Sequence, residues 1–134
     1  MKKVICSILT IVLVLGLIMP TSFAAIKDDY QKNLEEVMEE VEETNEEIEE
    51  LIQEAIEDVE EVLSSDKNEK KQEKEIDKII RKLVKETDKI AGKTIKNAAK
   101  KGIIVLCEYV EVTIGNRTVL IDPLRVVSWW VNIL

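Results

Sequence analysis

The chain contains no histidine, so its chemistry would rest on carboxylates, lysines and two cysteines. Without histidine there is no Ser-His or Cys-His dyad to activate a nucleophile, and no imidazole to hold a metal. Cys107 lies in an apolar run beside Glu108, surroundings that do not favour a reactive thiolate. Carboxylates are abundant as Glu39-Glu40, Glu42-Glu43, Glu46-Glu47 and Glu49-Glu50. Such pairs offer the oxygen ligands that hard cations prefer, but a dedicated calcium site curls a glycine-bearing loop around the ion. No such loop and no glycine-rich phosphate loop occurs here. The residues therefore predict weak, non-specific cation contact and no metal site, no cofactor and no catalytic residue. A non-enzymatic protein is expected.

Three other features could serve binding. Lys89, Lys93, Lys96, Lys100 and Lys101 follow Asp88 with no further acid before Glu108. They could meet an anionic cell-wall polymer or lipid headgroups. The plainer account, that cations favour a helix C-terminus and face an acidic neighbour, is preferred. Trp129 and Trp130, set among Val126, Val127, Val131, Ile133 and Leu134, are a candidate interface anchor, although core packing is the plainer role. On a strand they would point to opposite faces. Cys107 joins them as a candidate interface residue through an intermolecular disulfide, against its plainer role as a buried small hydrophobe. Asn116-Arg117-Thr118 matches the glycosylation sequon, a short motif that carries little weight on a tight turn.

The elements that must position these residues begin with a segment that reads as a secretory signal peptide, residues 1–24. Lys2 and Lys3 precede an apolar core from Val4 to Met19, Pro20 is expected to break the helix, and Ser22-Phe23-Ala24 supplies the small residues of a cleavage site. Cleavage is expected between Ala24 and Ala25. The core is short for a membrane span of about 20 residues, so no transmembrane span is expected after cleavage. Cys6 precedes the core and follows Ile5, which does not suit lipidation. The predicted location is secreted or at the cell envelope. Loss of Lys2 and Lys3 leaves 17 basic and 27 acidic residues, a net charge of −10. That balance repels nucleic acid.

Lys27–Leu63 has the spacing of one long amphipathic helix, with no proline or glycine. Leu34, Val37, Val41, Ile48, Leu51 and Ala55 fit a heptad, and the stripe then shifts to Ile52, Ile56, Val59 and Leu63. A second helix is predicted from about residue 67 to 101. Asp66 with Glu69 suggests its N-cap, Gly102 its C-cap, and Ile76, Ile80, Leu83, Thr87, Ile90 and Thr94 its stripe. Ile79, Val84, Ile95 and Ala98 widen it. Lys27–Leu63 carries 17 acids and two bases, and Asp66–Gly102 carries 13 bases and seven acids, giving −15 and +6. A short connection and opposite charge predict antiparallel neighbours. Nine acidic pairs four residues apart in the first helix cost roughly 2–4 kcal/mol at low salt. The second helix offsets only part of this, since −15 + 6 leaves −9.

From Ile103 the period changes to that of strands. Gly115-Asn116 signals a type II′ hairpin turn, which pairs Ile114 with Arg117, Val112 with Val119 and Val110 with Ile121. Val110, Val112, Ile114, Val119 and Ile121 then share one apolar face. Asp122-Pro123 should end the second strand, with a short third strand possible within Leu124–Leu134. The predicted fold class is α+β: a long antiparallel two-helix hairpin over residues 25–102, then a β-hairpin and apolar tail over 103–134. Two strands are marginal without cover. The core is thin, so a homo-oligomer or another envelope protein is the expected partner. The functional expectation is a small secreted structural or interaction protein of the cell surface that self-associates. The alternative is an envelope-associated binder of charged ligands, cations on the acidic helix or anionic polymer on the basic one.

Overall fold

A computed structural model describes the backbone of residues 2–121 and 123–127 and the side chains of residues 28–121 and 123–127. The chain divides into two compact units, Met1–Glu36 and Val37–Leu134. The backbone of the first is helical from Lys2 onward. All contacts described below lie in the second.

Helix α1 spans Lys2–Leu63 and α2 spans Glu69–Lys100. The backbone of α1 is helical on both sides of Pro20 and of residue 27. A proline inside a helix removes one backbone hydrogen bond at a cost of about 3 kcal/mol. Within the second unit, Val37, Val41, Thr44, Ile48, Ala55 and Val59 of α1 are buried. Val37, Val41, Ile48 and Ala55 follow the predicted heptad and Thr44 fills its missing position, whereas Leu34 and Leu51 of that heptad are only half-buried and Val59 comes from the shifted stripe. Leu63, assigned to the shifted stripe, is 45% exposed at the helix end.

The N-cap of α2 differs from the prediction. It is Asn68, not Asp66, and its Oδ1 accepts from the Lys71 N–H at 3.0 Å. The connection is longer than the sequence suggested because it is held from both sides. Gln72 Nε2 donates to the Ser65 carbonyl at 3.1 Å, and Lys67 Nζ reaches both Glu75 carboxylate oxygens at 2.8 Å. Asn68→Ala should cost about 1 kcal/mol, whereas Asp66→Ala should stay within about 0.5 kcal/mol. Urea unfolding of the two variants checks this; equal effects would restore the Asp66 cap.

The C-terminus of α2 matches the prediction. Gly102, at φ +75°, donates to the Ala99 carbonyl, and Ile103 N–H donates to the Ala98 carbonyl, both at 3.0 Å. These are the two bonds of a Schellman cap, whose left-handed residue favours glycine.

The helices run antiparallel, as Thr44 meets Thr94 and Glu40 meets Asn97. Thr44 Oγ1 donates to the Glu40 carbonyl at 2.8 Å. A hydroxyl has one proton, so the 2.6 Å bond between Thr44 and Thr94 is donated by Thr94. Both threonines are buried, and the chain of bonds satisfies each of them.

Four strands follow: β1 Ile104–Cys107, β2 Val110–Ile114, β3 Arg117–Ile121 and β4 Leu124–Val127. β2 pairs with β3 in the predicted register, Ile114 opposite Arg117 and Val110 opposite Ile121. Gly115 has φ +62°, and among the described residues no non-glycine has a positive φ, which fits the type II′ turn. The possible third strand proves to be β4, pairing with β1: Ile104 opposite Val127, Cys107 opposite Leu124. The two ladders share one register, because partner numbers sum to 231 in both, as in 104 + 127 and 114 + 117. They are halves of one long hairpin. Continuing that register places Glu108 opposite Pro123, at a hydrogen-bonded position of the ladder. Glu108 N–H donates to the Pro123 carbonyl at 2.9 Å, but proline has no N–H to return the bond. The ladder is interrupted there without losing register.

The hairpin buries opposite faces on either side of Pro123. Near the turn, Ile114, Val119 and Ile121 join Ile48, Ala55, Val59, Ile76 and Leu83 in one buried cluster. Near the base, Val105 and Leu124, on the other face, are buried instead. Val110 was expected on the buried face; it lies at the changeover and is 45% exposed.

Candidate functional site

Leu124 and Cys107 form a non-hydrogen-bonded pair in the hairpin register, so the Leu124 N–H and C=O point away from β1. Asn45 of α1 takes both. Its Nδ2 donates to the Leu124 carbonyl at 3.0 Å, and its Oδ1 accepts the Leu124 N–H at 2.8 Å. The amide stands in for a neighbouring strand and covers this edge at one point. At the other end of the hairpin, Arg117 pairs with Asp77 of α2. A β-carbon on Gly115 would approach Val59 Cγ1 to 3.1 Å, so the turn lies against α1.

This fastening leaves part of the hairpin uncovered. Ile104, Leu106 and Val110 share one strand face by their period of two and are 48%, 52% and 45% exposed. Tyr109 and Leu120, on the opposite face, are exposed as well. The run Ile103–Cys107 is apolar at both odd and even positions. A two-stranded ribbon packed on one side leaves one of those sets outward.

Charge is segregated on the outer faces of the helices. Lys89, Lys93, Lys96 and Lys100 are all exposed. At about 100° per residue they fall within about 60° of one another, opposite the buried Thr87, Ala91, Thr94 and Ala98. The expectation that these lysines face α1 is corrected, since their stripe points away from the helix interface. Salt bridges within 4.0 Å include Lys67–Glu75, Lys82–Glu86 and Arg117–Asp77. None of these three involves Lys89, Lys93, Lys96 or Lys100. Where the helices meet near this level, the polar contacts include the Thr44–Thr94 bond and Asn97 Nδ2 donating to Glu40 Oε1 at 2.8 Å.

Cys107 is half-buried on β1 and forms no disulfide, so it is less enclosed than the small core hydrophobe expected. Trp129 and Trp130 lie outside the described residues, as do the side chains of Ala24 and Ala25. Among the described residues no group of three or more Cys, Asp or Glu is placed to hold a metal ion. None of their helices is long and apolar enough to cross a membrane. Two shallow, open depressions lie among the described residues, one lined by Lys93, Lys96, Asn97, Ala99 and Lys100 and another by Gln53 and glutamates between Glu46 and Glu57.

Sequence reasoning missed Thr44, Asn45 and the exposed pair Ile104 and Leu106. For Thr44 the signal was its heptad position between Val41 and Ile48. For Ile104 and Leu106 it was the doubly apolar run. Asn45 carried no signal, because its partner is a backbone 79 residues away. The chain matches no family model, no curated protein and no solved structure.

Proposed function

We propose that this chain is a small exported, non-enzymatic structural or interaction protein of the cell surface that self-associates. The observation that carries the reading is the uncovered strand face of Ile104, Leu106 and Val110. Clustered exposed apolar side chains on a small domain mark a surface that another chain covers. The thin core, formed by two helices and one hairpin, points the same way. The predicted signal peptide supports export, and the lack of histidine supports a role without catalysis.

The test is the double substitution Ile104→Ser and Leu106→Ser. Both side chains are about half exposed, so the fold should be retained, as judged by circular dichroism. Association should weaken by about tenfold or more, because roughly 1.4 kcal/mol of lost apolar contact suffices for that. Association equal to that of the parent chain would remove this surface from the account.

A second reading, a binder of charged ligands, is favoured by the outward lysine stripe alone. A polyanion that shifts the mobility of the chain at physiological salt would support it.

A further inference from the structure

Glu39, Glu43, Glu46 and Glu50 repeat at intervals of four, three and four residues, the same intervals as Lys89, Lys93, Lys96 and Lys100. Each set therefore runs about 16 Å along its helix and occupies a stripe about 60° wide. All eight residues are exposed. The glutamates lie opposite the buried Val37, Val41, Thr44 and Ile48, just as the lysines lie opposite the core of α2. The bond between Thr44 and Thr94 sets the two stripes at the same level of the helical hairpin. They are back to back, one on each outer side. A chain cannot bring its own two stripes together, but two chains placed side by side can.

We infer that copies of this chain associate laterally, the glutamate stripe on the back of α1 docking on the lysine stripe on the back of α2 of the next copy. The inference rests on the self-association proposed above and assigns a second surface to it. The charge pattern selects the occupant. The stripes match in sign, length and interval, and none of these eight residues takes part in the salt bridges Lys67–Glu75, Lys82–Glu86 or Arg117–Asp77. Because intervals of four, three and four read the same in both directions, a parallel or an antiparallel approach of the helices gives the same match. Docking also relieves the repulsion among the acidic pairs of α1, at a few tenths of a kcal/mol per pair. The contact is heterologous: each copy offers one stripe of each sign, so the contact can propagate into rows. The net charge, −8 for the whole chain and −10 without residues 1–24, opposes association at long range. At moderate salt that term is screened beyond about 10 Å, while charges in contact still attract.

The test uses the chain expressed in full and recovered in the form the cell leaves it. Its solution mass is followed by light scattering at low, physiological and high salt. One variant carries Lys89→Glu, Lys93→Glu and Lys96→Glu, and a milder one carries glutamine at the same three positions. A third carries Glu43→Lys, Glu46→Lys and Glu50→Lys. Circular dichroism confirms that each is folded. The parent should form species larger than the dimer, with a mean mass falling at least about twofold at high salt. Each variant alone should lose the large species, and an equimolar mixture of the lysine-to-glutamate and glutamate-to-lysine variants should regain association. Association that ignores salt and charge reversal would overturn the inference and leave self-association through the strand face standing. A parent that is monomeric at every salt would overturn both. A parent whose stripe-dependent binding appears only with added dextran sulfate would make the lysines a polyanion surface, which also overturns the inference.

Discussion

Ile114→Ala is expected to lower the free energy of unfolding by about 3 kcal/mol, within the 2–5 kcal/mol typical of a deleted buried isoleucine side chain. Ile114 is fully buried and sits one residue before the hairpin turn. It packs in a cluster whose members come from α1, α2, β2 and β3. Its neighbour Gly115 cannot shift to fill the void, because the turn fixes it at φ +62° and already holds it against Val59. The cavity should therefore persist, and the loss should be shared by helices and strands in one transition. Urea unfolding followed by far-ultraviolet circular dichroism reads the effect. Leu120→Ala, one of the exposed strand residues, is the control and should change stability by less than about 0.5 kcal/mol. A loss below about 1 kcal/mol for Ile114→Ala would mean that the hairpin is not fastened to the helices as described.

Asn45→Ala should cost about 2 kcal/mol, because it strips both hydrogen bonds from the outward backbone groups of Leu124. Leu124 itself is buried, so water replaces the amide poorly. Asn45→Asp provides the sharper comparison. The carboxylate can still accept the Leu124 N–H but cannot donate to its carbonyl, and two oxygens then face each other. It should therefore also destabilise, despite the close match in size. Amide hydrogen exchange gives a local readout, with the Leu124 amide losing protection in Asn45→Ala. A Leu124 amide that exchanges equally slowly in both proteins would show that the side chain does not cover this edge.

The legible parts of this fold were those governed by local period. Both helices, the C-terminal cap at Gly102 and the register of the hairpin turn follow from spacing and glycine position. The N-cap was misplaced because Asp66 and Asn68 are both good caps, and the choice fell to tertiary contacts of Gln72 and Lys67. The extent of the hairpin was underestimated for a specific reason. Pro123 removes one ladder donor and interrupts the pairing, yet its carbonyl still accepts from Glu108. The register survives and β4 forms beyond it. The change of buried face at that point was not visible, since it depends on where the helices lie relative to the ribbon. Proximity alone predicts that the lysine stripe faces α1, whereas its angle from Thr87, Ala91, Thr94 and Ala98 turns it outward.

The measurement that tests the central claim most directly is the mass of the unmodified chain in solution, by light scattering on a sizing column over a wide concentration range, with and without reductant. The account predicts a dimer or larger species that dissociates on dilution; loss of that species under reductant would place Cys107 in the contact. A single-chain mass at every concentration would contradict self-association and leave the exposed strand face without its proposed role.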